Sequence, residues 1–173
     1  GVRTTAAAYR PNVDLNSVAP ALADCAMWNN PIVTWQDDRL YLVAECLVFR
    51  GTRVLAERSR IVVLETEAVG APAAWQWRYA GVLADHALAQ TLGGDQLVSA
   101  EIQRARDGQW LFIVSPQRGK GVFGQGCVAM ELDGLAPQRL RRNASGAPIV
   151  RARQTSAPSS SWRTGGCTYA AGA

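Results

Sequence analysis

The sequence predicts an all-β protein assembled from repeated antiparallel four-stranded sheets. Three observations lead there: β-branched and aromatic runs are divided by short turn signals, one hairpin recurs at an offset of about seventy residues, and helical periodicity is nearly absent.

The elements follow in order. Residues 1–26 are Ala-rich, carry Pro11 and Pro20, and read as an irregular lead-in with a short helical turn near 19–26. Residues 31–35 form a β-branched and aromatic run, Asp37-Asp38 is the turn, and 40–49 is the returning strand. Gly51 punctuates the chain before a third strand at 60–66, and Gly70 and Pro72 mark a loop. Trp75, Trp77 and Tyr79 alternate as side chains on one strand face do, which predicts a fourth strand over 75–79. Residues 84–95 are the one helical segment, stopped by Gly93-Gly94. Strands resume at 97–104, turn at Asp107-Gly108 and return over 109–115. A Gly-rich loop at 116–126 leads to a strand at 127–132, which Asp133-Gly134 is expected to turn. Short outer strands are expected at Leu140 and 148–152, a Ser-rich loop at 154–166 and a last strand at 167–169.

Shifting the chain by seventy residues overlays the two hairpins: Ile32 falls on Ile102, Asp37 on Asp107, Leu40 on Trp110, Leu42 on Phe112 and Val43 on Ile113. Such units cannot bury both faces alone and must stack on neighbours. The organisation expected is a lead-in (1–26) and a single β domain (27–173) of about two and a half repeats, 31–83 and 97–153. These units look like propeller blades. Closed propellers take about four to eight blades, so the expectation is a partial propeller, or one completed by another chain. A homodimer would supply roughly five blades; a β-sandwich is the alternative architecture.

Composition bounds the function. The 173 residues carry a net charge of +4, with 18 Lys and Arg, almost all Arg. Arg139, Arg141, Arg142, Arg151 and Arg153 are the only cluster. It lies on no helical stripe, so a solvated basic strand edge that discourages edge pairing is favoured over nucleic-acid binding. No apolar run approaches the ~18 residues of a membrane span. The four cysteines, Cys25, Cys46, Cys127 and Cys167, form no C-x-x-C pair. An even count in an Arg-rich chain predicts at least one disulfide and a secreted or periplasmic protein. Four cysteines allow three pairings, and four buried free thiols are the alternative. His86 is the only histidine, so no multi-histidine metal site is expected. The Gly119–Gly124 segment lacks the strand-to-helix setting of a phosphate loop, and no cofactor is expected.

The stretch Asn30-Pro31-Ile-Val-Thr-Trp-Gln-Asp-Asp-Arg-Leu-Tyr-Leu resembles the opening blade of five-bladed propeller glycoside hydrolases, the arabinanase and xylosidase group and, more distantly, the invertase group. Residues 100–115 look like a later blade of that family. Met27-Trp-Asn-Asn-Pro31 is similar to the Asn-Asp-Pro motif of the invertase group, and Glu45-Cys46 matches its acid-bearing Glu-Cys pair in letters. The resemblance spans residues 27–132 and implies a carbohydrate-active protein. Such enzymes place two carboxylates about 5–9.5 Å apart across the glycosidic bond. The family's first carboxylate position is occupied here by Asn30, and the acid of the arabinanase pattern falls on Ser99. The remaining catalytic candidates are Glu45, Glu101 and Asp38. Glu45, if it faces the core with Tyr41 and Val43, is a buried acid suited to proton donation. Trp28, Asn30, Trp75 and Trp77 are the expected substrate contacts, since flat aromatic faces suit sugar CH surfaces. With Asn30 and Ser99 where carboxylates belong, the competing expectation is a non-catalytic exported binding or structural protein.

Overall fold

A computed structural model describes residues 14–36, 38–67, 69–71, 74–119, 126–135 and 138–154. The expected strand at 167–169, the loop at 154–166 beyond Gln154 (which ends a strand) and most of the Gly-rich loop lie outside the described residues, as does Cys167. Strand β1 (Met27–Gln36) turns at Asp38 into β2 (Arg39–Leu47), and a minute hairpin, β3 (Phe49–Arg50) and β4 (Arg53–Val54), follows around Gly51. Strands β5 (Arg60–Glu67) and β6 (Arg78–Ala84) complete a first antiparallel sheet in the order β1-β2-β5-β6. Helix α1 (His86–Thr91) leads to β7 (Gln96–Arg104), β8 (Trp110–Gln117), β9 (Cys127–Leu135) and β10 (Gln138–Leu140), ordered β10-β9-β8-β7, with β11 (Val150–Gln154) also pairing β9. The protein is thus all-β, two consecutive up-and-down sheets stacked face to face; the described residues form no closed ring. No described helix is long and apolar enough to cross a membrane.

Local chemistry explains most of these elements. Asp85 caps α1, its carboxylate accepting from the Leu88 N–H at 3.0 Å, and Gly93 follows the helix at φ +83°. At the β7–β8 turn, Gly108 sits at φ +86° while Asp107 accepts from the Gln109 N–H.

Two expectations are corrected. The fourth strand is not 75–79 but β6, Arg78–Ala84, so Trp75 and Trp77 precede it instead of alternating along it. The partner decides: β5 starts at Arg60, and covering it from Ile61 (opposite Ala84) to Glu65 (opposite Arg78) requires those residues. Asp133-Gly134 does not turn the chain either, since β9 runs through both and Gly134 pairs with Arg139 of β10.

The principal core lies between the sheets. Tyr41, Val43, Ile61 and Val63 from the first pack against Phe112, Val114, Val128 and Met130 from the second, all at most 2% exposed. The first sheet's other face (Cys46, Val62, Leu64) is covered by residues 14–26, with Leu22 fully buried and Leu15 and Val18 partly so. On the second sheet's other face, Leu111, Ile113 and Ala129 form a smaller cluster.

The repeat is head to tail. Val43 and Ile113 stand seventy apart, but Val43 faces the second sheet and Ile113 faces away from the first. In the leading strands the offset is 69: Ile32 pairs with Val43 as Glu101 pairs with Ile113. Ile32 therefore corresponds to Glu101, not to Ile102, because the second hairpin's turn is one residue longer.

Candidate functional site

Each leading strand carries a bulge at the same place. Asn29 faces Glu45 and Ile32 faces Val43, so Asn30 and Pro31 oppose one residue; likewise Val98 faces Ser115 and Glu101 faces Ile113, leaving Ser99 and Ala100 opposite one. The first bulged residue is left-handed in both, Asn30 at φ +45° and Ser99 at φ +55°. Asparagine tolerates that region; serine gains nothing there from its side chain, so its surroundings must hold it.

Glu45 supplies the hold. It is 1% exposed and lies on the first sheet's inner face with Tyr41 and Val43. One oxygen accepts from the Asn30 side-chain amide at 2.7 Å and from the Ser99 backbone N–H at 2.7 Å; the other accepts from the Asn29 amide at 3.1 Å. A single carboxylate thereby ties both bulges, one in each sheet. Such charge-assisted bonds are worth roughly 1.5–3 kcal/mol each when buried.

The other sequence candidates lie elsewhere. Asp38 is exposed at the β1–β2 turn, seven residues from Glu45 along β2, or about 23 Å at strand rise. Glu101 opposes Ile113 and therefore projects from the face turned away from Glu45, where it accepts from the Gln103 amide at 2.6 Å. Trp28 opposes Cys46 and points to the first sheet's outer face, donating to the Asn16 side-chain oxygen at 2.9 Å. Trp75 and Trp77 form an edge-to-face pair 6.4 Å apart, both partly exposed, with Trp77 against the outer core and Trp75 donating to the Gly70 carbonyl at 3.3 Å. The structure unites Asn30 with Glu45 and Trp75 with Trp77, and sets Asp38, Glu101 and Trp28 apart from Glu45.

Cys25 and Cys46 form a disulfide, Cα–Cα 5.1 Å, which staples residues 14–26 to β2 beside Glu45. Cys127 is disulfide-bonded as well. Asp24, Cys25 and Cys46 are grouped closely enough for a metal, but the disulfide removes both thiolates as ligands. Arg60 donates to Asp24 at 2.7 Å and Arg58 at 2.8 Å; the Arg60 bond above all holds the Asp24 carboxyl below the usual range.

A second polar cluster escaped the sequence reading. Glu131 is 6% exposed on the second sheet's outer face, paired with Arg141 at 3.1 Å and Arg151 at 3.4 Å; Arg151 also pairs with Asp107. The Gln109 N–H, with help from Arg151, holds the Asp107 carboxyl below its ordinary range. These residues, with Arg104 and Gln109, line a hollow of about 500 Å³. The signal was available: Glu131 interrupts an apolar strand, Val128-Ala-Met-Glu-Leu132, and a carboxylate buried there needs a partner.

Fold and site together define an all-β protein of a four-stranded and a five-stranded sheet, stacked and joined by one buried carboxylate. No protein-family model matches the chain, and no curated protein does. Among solved structures it is similar to a mutant levansucrase of B. subtilis, at 11% identity and a TM-score of 0.45, covering 84% of this chain and 34% of that one. The chain spans about a third of that protein's length.

Proposed function

We propose that this chain is a non-catalytic exported β protein that binds carbohydrate, with the sheet architecture of the propeller hydrolases it resembles in sequence and without their chemistry. One observation carries the reading: Asn30 and Ser99, the positions where the resemblance expects carboxylates, both donate to Glu45. Glu45 is thereby committed to joining two sheets. Among the described residues the other two candidates, Glu101 and Asp38, do not share its face or its end of the sheet. The Cys25–Cys46 disulfide supports an oxidising compartment, and the partly exposed Trp75–Trp77 pair offers flat apolar surface for sugar rings.

The test is twofold. The purified protein is expected to hydrolyse neither aryl-glycosides nor sucrose, while Glu45→Gln lowers stability by about 2 kcal/mol in urea unfolding. Turnover that disappears in Glu101→Gln or Glu45→Gln without loss of folding would overturn the non-catalytic reading. Trp75→Ala is expected to weaken retention on insoluble polysaccharide several-fold.

A further inference from the structure

Where the outer strands of the two sheets meet, β6 and β10 leave a hollow of about 570 Å³ lined by Val82, Leu83, Leu140, Asp133, Arg139 and Arg142, together with Arg141. Arg141 also lines the hollow around Glu131 described above, so the two adjoin at its side chain along this edge. The charges along it are not equivalent. Glu131 is met by Arg141 and Arg151, and Asp107 by Arg151, whereas Arg139 and Arg142 are exposed and make no ion pair among the described residues. Arg142 is braced by donating to the Gly146 carbonyl at 2.7 Å, which leaves the rest of its guanidinium for a ligand. Beneath the arginines lie Val82, 47% exposed, and the buried Leu83 and Leu140. The edge thus offers spaced cations over an apolar floor, with Asp133, Glu131 and Asp107 interleaved.

We infer that this edge binds a carboxylated polysaccharide, its carboxylates taken by Arg139 and Arg142 and a sugar CH face by the half-exposed Val82. The inference rests on the carbohydrate reading above and names its ligand class. Guanidinium forks match carboxylates bidentately. Among the described residues no aromatic side chain lines either hollow to stack a base. The Cys25–Cys46 disulfide favours an oxidising compartment, where acidic glycans are among the polyanions met.

The experiment titrates the intact chain with polygalacturonate, its fully methyl-esterified form, neutral xylan and single-stranded oligothymidylate at low and moderate salt. Expected is salt-sensitive binding of polygalacturonate, weakened about tenfold in Arg139→Gln/Arg142→Gln. The control Arg50→Gln/Arg53→Gln, which removes the same charge from the β3–β4 hairpin, is expected to bind as wild type. Thermal unfolding of both variants verifies that they fold. Equal affinity for the esterified polymer or for oligothymidylate, or equal loss in the control, overturns the inference. Binding of xylan alone overturns it while sparing the carbohydrate reading; binding of no polymer sinks both.

Discussion

The two sheets are built on one plan and finish their outer faces differently. The first is covered by a separate length of chain: residues 14–26 lie over Cys46, Val62 and Leu64 and are fastened by a disulfide, by Asp24 between Arg58 and Arg60, and by Trp28 on Asn16. The second carries charge on that face, with Glu131 sunk between Arg141 and Arg151 beside the small cluster of Leu111, Ile113 and Ala129. In a stack of repeats the end units need a surface compatible with water. The first sheet's outer face is covered by a separate length of chain, the second's by paired charges. The clamp shows the same asymmetry: Glu45 reaches forward to Ser99, but its counterpart one repeat on is Ser115, which donates to the Gly126 carbonyl. The second sheet lacks the carboxylate that would tie a further one.

This contrast can be broken at several points. Phe112→Ala empties the core shared by both sheets and is expected to cost about 3–5 kcal/mol, with a single cooperative urea transition shifted as a whole. Replacing Cys25 and Cys46 together with serine releases a closed loop of 21 residues' separation and should cost about 3 kcal/mol. Here hydrogen exchange should rise in residues 14–26 and β2 before it rises in β8 and β9. Equal loss of protection in both sheets would dissolve the distinction between an added cover and an integral one. Arg151→Ala, acting on the charged end, should cost about 1 kcal/mol or less and fade in high salt, because the pair is partly exposed.

The smallest effect concerns acid. Arg60 lowers the Asp24 carboxyl in the folded state, so its contribution is complete above the ordinary aspartate value near ~4 and is lost as pH falls through the lower folded value. Asp24→Asn should therefore leave a shallower acid limb in a pH–stability profile, unfolding residues 14–26 less steeply below pH ~4. An unchanged acid limb would mean that the ion pair does not fasten the cover.

Much of the fold was legible because hairpins are local. The Asp107-Gly108 turn and the alternation on either side of it specify β7 and β8 within twenty residues. Helix α1 announced itself through its Gly93-Gly94 stop, while its Asp85 cap emerged only in the structure. What failed was governed by partners: β6 takes its limits from β5, and Asp133-Gly134 stays in strand because β10 pairs alongside. At the site, the sequence placed Asn30, Ser99 and Glu45 among the residues worth attention but could not join them. Glu45 and Ser99 are 54 residues apart, and the bond depends on a left-handed serine that no local signal announces. The choice of Cys25–Cys46 among the possible pairings was equally non-local. Glu131 was overlooked because the arginines near it were read as a solvated edge.

The Glu45 clamp has a mechanical consequence. Two donors from β1 and one from β7 converge on the Glu45 carboxylate of β2, so sliding β1 by one residue breaks two bonds together, while sliding β7 breaks the one that crosses between the sheets. A pulling force applied along β7 therefore loads the Glu45–Ser99 bond directly, and Glu45→Gln should lower the force at which β7 slides past the first sheet.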